Sequence, residues 1–347
     1  MKKILLVFTA VLFSLSAFSQ AGKGVYQFLN LSMDARSVSL GGTNISLNDG
    51  DLNLAMNNPA LLSLDVSNML TFNYSIYLAD IKYGSVGYAH YVGKSKKNII
   101  GLGINYFDLG KEKGYTEEDV YTGTFTMKDI AVNLMYARIL PKGFTVGATA
   151  KPVYSVYEIY TSAGMAFDIG AGYHNDSAMV DAGLVLKNVG WQFDGYRMNE
   201  DGSQHREPLP VNLLLGVSKR FKHAPIRISF TLHNLQTWNL GYERSAKIKE
   251  EYNKENDKVH WADMFFRHTI FAVEILPHKN FSLTASFNPR RRAEMNIADF
   301  KTIAGFAFGA ELKVYKFRAG FALTQYQLGN MSYHFTLSTN FSEFGAK

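Results

Sequence analysis

Phe144-Thr145-Val146-Gly147-Ala148-Thr149-Ala150-Lys151-Pro152-Val153-Tyr154 decides the fold. On an extended chain Phe144, Val146, Ala148, Ala150, Pro152 and Tyr154 fall on one face, and Thr145, Gly147, Thr149, Lys151 and Val153 on the other. A strict period of two marks a strand with one face in an apolar medium. The pattern recurs downstream. Phe167, Ile169, Ala171 and Tyr173 alternate with Asp168, Gly170 and Gly172; Ile226, Ile228, Phe230 and Leu232 alternate with Arg227, Ser229, Thr231 and His233. Phe281, Leu283, Ala285 and Phe287 alternate with Ser282, Thr284 and Ser286, and Met331, Tyr333, Phe335, Leu337 and Phe341 with Ser332, His334, Thr336, Ser338 and Asn340. The polar face carries Asp168, Asp181, Arg227, Glu311 and Arg318. In a packed sandwich core each such charge would need a partner. Lining a wet or plugged lumen costs far less, while the bulky face suits lipid.

Working outward, fourteen such segments are expected near 68–78, 82–93, 97–109, 126–139, 143–156, 160–173, 178–187, 211–220, 225–234, 267–276, 280–287, 303–313, 315–326 and 330–341. Ten residues at ~3.3 Å, tilted by ~45°, span roughly 23 Å, the height of an outer-membrane apolar band. Every second connection is a tight turn, often basic: Gly93–Asn98, Leu140–Gly143, His174–Ser177, Phe221–Pro225, Leu276–Asn280 and Val314–Lys316. The others are mostly longer and more polar, at 109–126, 188–210, 235–266, 288–302 and 326–330, with tight ones near 79–81 and 157–160. Loops sorted by side are a property of transmembrane barrels. The fold class expected is therefore all-β, a 14-stranded antiparallel transmembrane β-barrel over residues 68–347. An even count puts both ends of the wall, and the short turns, on the periplasmic side. Glycine recurs in the strands (Gly84, Gly87, Gly101, Gly103, Gly170, Gly172, Gly305, Gly309, Gly320), where it lets a sheet bend or another backbone come close.

Residues 1–19 read as a signal peptide. Lys2 and Lys3 precede the apolar run Ile4–Leu15, and Ala17-Phe18-Ser19 places cleavage before Gln20. The chain has no cysteine, which excludes disulfides, thiol catalysis, Cys-based zinc sites and a lipid anchor on cysteine. Export without that anchor leaves periplasm, outer membrane or medium. The net charge of +6 is scattered over turns and loops, a distribution suited to anionic lipid and unlike a nucleic-acid face. Aromatics make up 14% of the chain, and no apolar run after the signal is long enough for a spanning helix.

Residues 20–67 do not read as wall. Leu40-Gly41-Gly42 and Asn48-Asp49-Gly50-Asp51 mark turns, and Leu52, Leu54, Ala55, Leu61 and Leu62 look buried. A fourteen-strand lumen is wider than side chains fill, so a plug or a periplasmic cover is the natural use of this piece. Asn57-Asn58-Pro59-Ala60-Leu61-Leu62 resembles the Asn-Pro-Ala hatch motif of FadL-type outer-membrane barrels. Tyr26-Gln27-Phe28-Leu29-Asn30, Ala35-Arg36 and Leu40-Gly41-Gly42 together resemble the PorV/PorQ branch of that superfamily, whose PorQ-type members belong to the type IX secretion system. The resemblance covers essentially the whole mature chain, with the hatch motif at Asn57, Asn58, Pro59 and Ala60. It implies a non-enzymatic scaffold for a cell-surface attachment complex: a surface-exposed PorZ-like partner, with sortase and a PorV-like barrel, next to lipopolysaccharide. The alternative it implies is a FadL-like channel for hydrophobic molecules. One departure is the C-terminus, where Phe341 and Phe344 precede Gly345-Ala346-Lys347 and no terminal Phe is present.

Outer-loop aromatics Trp191, Phe193, Tyr196, Trp238, Tyr242, Tyr252 and Trp261 are candidate anchors for a docking protein; the bland reading of the tryptophans is an interfacial belt. Arg290, Arg291 and Arg292 are a candidate contact for lipopolysaccharide phosphate or an acidic partner, against a simple solvated cluster. Asn48–Asn53 has calcium-loop flavour but lacks the downstream bidentate Glu, so a turn is expected there. Ser332 and His334 share a face, yet neighbours on one face stand ~7 Å apart, too far for a nucleophile–base bond. The remaining histidines show no metal-ligand spacing, Gly101-Leu102-Gly103 precedes more strand where a dinucleotide fingerprint would need a helix, and no cofactor is expected.

Overall fold

The alternating segments close into a barrel of fourteen antiparallel strands in a computed structural model of the chain. It describes residues 24–78, 81–115, 118–198, 204–240, 260–295, 302–327 and 329–345. The strands are β1 (Met69–Leu78), β2 (Ile81–Val92), β3 (Asn98–Tyr115), β4 (Tyr121–Ile139), β5 (Phe144–Tyr157), β6 (Tyr160–Asn175), β7 (Val180–Asp194), a two-residue hairpin of β8 (Arg197–Met198) and β9 (Gln204–His205), then β10 (Asn212–Arg220), β11 (Ile226–Leu232), β12 (Thr269–His278), β13 (Phe281–Phe287), β14 (Phe306–Val314), β15 (Phe317–Gln327) and β16 (Asn330–Asn340). Wall strands pair in chain order, β7 with β10 across the hairpin, and β16 closes on β1 from Met69↔Asn340 to Ile76↔Tyr333.

Period two sorts the side chains as the sequence requires. Phe72, Leu102, Ile169 and Leu337 are exposed on the outer surface, where a soluble protein would hide them, and Thr71, Thr149, Asp168 and Ser338 are buried inside. Six tight turns share one end of the barrel with the first residue of β1 and the last of β16. The wall differs from expectation at the other end. The 109–126 loop is largely a continued hairpin, β3 and β4 pairing through Lys111↔Thr126 to Tyr115↔Tyr121, because its Thr122, Thr124 and Phe125 are good strand residues and a register shift after Asp108 absorbs the misfit. The 188–210 loop likewise gives up its first part to β7, which passes through a left-handed Asn188 (φ 58°) and runs on to Asp194.

The segment before β1 is inside the barrel and runs its full height. Val25 N–H donates to Pro208 O (3.1 Å) and Tyr26 bonds Ser162 (2.6 Å), both at the long-loop end. Helix α1 (Ala35–Ser39) lies on β14, β15 and β16; helix α2 (Leu52–Asn57) faces β1 and β2; a 3-10 turn, Pro59–Leu61, lies on β4, β5 and β6. Asn340 Nδ2 meets Ser67 O at the short-turn end (3.0 Å). The wall begins and ends at the short-turn end, yet Gly24 sits at the opposite one, because the intervening residues traverse the lumen. The proposed signal segment 1–19 lies outside the described residues.

Two apolar clusters anchor this plug. Near the short turns Leu47, Leu52, Leu54 and Leu62 pack on Ala89, Ile99, Met135 and Ala137 of the wall. Near the long loops Val25, Phe28 and Leu29 pack on Tyr83, Phe107 and Val153. A fully buried Leu or Phe is worth roughly 1.5–3 kcal/mol, so the clusters hold the plug by an amount comparable with a domain's whole stability.

Candidate functional site

Beside the apolar cluster near the short turns, the plug is also fastened by charge. Arg36, on α1, donates to Asp49 (2.6 Å), Glu311 (2.6 Å) and Glu274 (3.0 Å). Arg227 on β11 meets Asp49 (2.8 Å) and Glu274 (2.6 Å). Arg36, Asp49, Arg227 and Glu274 therefore alternate in sign around a closed ring, two corners from the plug and two from the wall. Burial opposes the charge on Arg36, but Asp49, Glu311, Glu274 and Asp51 outweigh it and hold its pKa above the ordinary value. Burial also opposes ionisation of Asp49, and Arg36 with Arg227 overrides it, keeping the carboxyl well below the usual range. Asp34 has no cationic partner among the described residues. It caps α1 by accepting from Ser37 N–H (2.7 Å), and burial with the nearby Asp51 pushes it up to about 7.

The hatch motif is the second fastening. Asn58 caps the Pro59–Leu61 turn through Ala60 N–H (3.1 Å) and donates to Ile45 O (2.8 Å). Asn57 donates to Ser37 Oγ (2.8 Å) and accepts from Lys187 Nζ on β7 (3.2 Å). The turn lies flat on lumen-facing glycines. A Cβ at Gly170 would stand 2.0 Å from Asn58 Oδ1, and one at Gly147 would stand 2.6 Å from the Pro59 carbonyl carbon. The plug also bridges the seam: Ala35 N–H donates to Thr336 on β16 (2.9 Å), and Asn53 accepts from Thr71 and Asn73 on β1 (2.9 and 2.8 Å).

Above α1, at the long-loop end, a cavity of ≈ 340 Å³ opens between plug and wall. Its lining includes Lys187, His233, Arg290 and Arg291, the Gly41–Thr43 turn, and, among the described residues, no Asp or Glu. The Arg290–Arg292 cluster is drawn toward the protein by helix α4 (Pro289–Glu294). Arg291 lies over the Tyr326 ring at 4.2 Å and donates to Thr324 (3.2 Å); Arg290 pairs with Glu294 (2.7 Å); Arg292 donates to Thr302 O (2.5 Å). The sequence offers this cluster as an outside-loop contact for lipopolysaccharide phosphate or an acidic partner, against a solvated cluster; the Tyr326 ring and Thr324 turn Arg291 toward the cavity.

The candidate anchors divide. Trp191 and Phe193 lie on the outer face of β7, edge to face with ring centres 5.9 Å apart. Tyr196 turns inward against Tyr157 (5.2 Å). Trp238 and Trp261 meet at 6.2 Å, 50% and 66% exposed, with Trp261 opening helix α3 (Trp261–Arg267) and stacking on Phe265 (5.9 Å). Tyr242 and Tyr252 lie outside the described residues. Ser332 donates to Tyr77 O (2.6 Å) and His334 Nδ1 bonds Ser75 Oγ (2.8 Å), so the pair is not assembled for nucleophilic chemistry. Sequence reading missed Lys187, Gly147 and Gly183 as plug contacts; their inward place in the alternation was the available signal.

No protein-family model matches this sequence, and no curated protein matches it. Among solved structures it is similar to a TodX monoaromatic hydrocarbon channel mutant lacking S2 (11% identity, covering 89% of this chain and 97% of that one, TM-score 0.52). A TodX mutant lacking S2 and S3 is similar at 12% identity, covering 88% and 98%, with TM-score 0.50. A Pseudomonas aeruginosa FadL homologue shows 10% identity over 90% and 97%, with TM-score 0.47. The chain thus shares the fold of the two TodX channel structures.

Proposed function

We propose that this chain is a non-enzymatic scaffold in the outer membrane, a PorQ-type component of the type IX secretion system that holds a surface attachment complex in place. Its partners in this reading are a PorZ-like surface protein, with sortase and a PorV-like barrel, beside lipopolysaccharide. The observation that carries it is the lumen. Residues 24–67 run through the barrel from end to end and are fastened by the Arg36–Asp49–Arg227–Glu274 ring, which suits a support better than a conduit. The half-exposed Trp238–Trp261 pair at the long-loop end supplies the large, stiff contact area on which protein interfaces concentrate their energy. The test is affinity capture of the tagged full-length protein from its own membranes. A surface-exposed protein should co-purify, and W238A/W261A should reduce its recovery about tenfold, the effect of losing a modest hot spot. Equal recovery with the double variant, or no surface protein at all, would remove this reading.

A second reading, a channel for hydrophobic molecules, draws on the hydrocarbon channels with the same fold. The acid-free, cationic lining of the outer cavity weighs against it. Uptake of an apolar aromatic into liposomes above the empty-vesicle rate would favour it.

A further inference from the structure

We propose that the cavity at the long-loop end is a binding site for a small anionic saccharide, a sugar carrying a carboxylate or a phosphate. The argument starts from charge. Lys187 and Arg291 line the cavity without an ion-pair partner among the described residues, and no acidic side chain lines it. Two cations that form no direct ion pair among the described residues, in a half-enclosed space, attract an anion. Arg291 is also held ready. Tyr326 supports its guanidinium at 4.2 Å and Thr324 takes Nη1, while Nη2 has no acceptor among the described residues. Gly42, left-handed at φ +107°, keeps the space in front of it clear, since a Cβ there would stand 3.1 Å from Nη2.

Neutral groups distinguish a sugar from a bare ion. His233 is 6% exposed, and its Nε2 finds no partner among the described residues. Asn234 Oδ1 accepts from Arg290 (3.3 Å), so at 2.6 Å the His233 Nδ1 must be the donor and Nε2 the acceptor. Burial lowers the ring's pKa to about 4, which keeps it in that neutral form. A buried lone pair wants a hydroxyl, and the Thr43 hydroxyl on the adjacent turn is likewise buried and unpartnered. Guanidinium and ammonium for the anion, imidazole and hydroxyl for the ring hydroxyls, and ≈ 340 Å³ together match a single charged pyranose. This inference holds whether the barrel supports a complex or conducts.

Calorimetric titration of the full chain in detergent tests it, with galacturonate, glucose 6-phosphate, glucose and inorganic phosphate as probes. At least one anionic sugar should saturate and bind about tenfold or more tightly than both glucose and phosphate, since a charge-assisted bond and a satisfied buried acceptor each contribute that much. Which of the two binds assigns carboxylate or phosphate. R291Q should weaken binding about tenfold, and H233A should weaken sugar binding while leaving phosphate unchanged; folding of each variant is verified by its heat-modifiable gel mobility. Phosphate or glucose binding as tightly as the better of the two anionic sugars, no saturation by either sugar in the millimolar range, or undiminished binding by both folded variants would overturn the proposal.

Discussion

Gly170 shows how little room the plug leaves at single positions. Its hydrogen faces Asn58 Oδ1, and G170A would force a methyl to 2.0 Å from that oxygen. Overpacking of this kind costs about 1–3 kcal/mol. G170A should therefore lower the urea midpoint of unfolding, whereas G345A, with nothing within 4 Å, should not. Equal midpoints would mean that the hatch turn does not rest on the wall. Asp34 makes a pH prediction. Its folded pKa of about 7 lies above the unfolded value of about 3.9, so the folded state holds a proton that the unfolded state has released. This group's contribution is complete below about pH 4 and declines as pH rises through about 7. D34N keeps the cap and removes the titration, so its melting temperature should exceed that of the parent at pH 8 and match it more closely near pH 5. Parallel pH profiles for the two proteins would contradict the raised pKa of this buried carboxyl. Asp49 works in the opposite direction: its depressed pKa contributes stability above the usual carboxylate range, lost as acid protonates it.

At the scale of elements, the ion ring joins α1 and the Asp49 turn to β11 and β12. Removing the Glu274 charge leaves Arg227 with Asp49 alone and takes one of three close carboxylates from Arg36, an imbalance at a buried site that costs up to about 3–5 kcal/mol. E274Q should therefore loosen the plug, seen as faster hydrogen exchange over residues 33–51 with the strands of β2–β7 unchanged. Exchange that stays slow there would mean the apolar clusters alone hold it. The ring was half legible in sequence. Arg227 stood out as a charge on an inward face, and Asp49 as a turn residue. Their meeting was not legible, because turn chemistry fixes local geometry and says nothing of which strand lies opposite. The 109–126 hairpin was missed for a related reason: its polar composition suggested a loop, while pairing with its own partner strand made strand the better state.

For the whole molecule the decisive question is whether a filled lumen conducts. Liposomes containing the intact protein should exclude small sugars, and a chain lacking residues 24–67 should admit them, provided the shortened barrel still shows heat-modifiable mobility. Equal permeation by both would show that the plug does not close the passage. The plug ties the closing seam through Ala35–Thr336 and Asn53–Asn73, so the shortened barrel should also unfold at lower urea.

Alternation of side chains by itself determined that this chain forms a membrane-spanning barrel, that its wall has fourteen strands, and which way most of them face. Those properties follow from a two-residue period that most wall strands carry within themselves, independent of their neighbours. The path of residues 24–67 through the lumen, the seating of the hatch on Gly147 and Gly170, and the union of Arg36 with Glu274 across 238 positions belong to the tertiary structure alone. Closure of the sheet sets which inward residues confront one another, and that depends on strand register and barrel curvature, which no local pattern in the chain records.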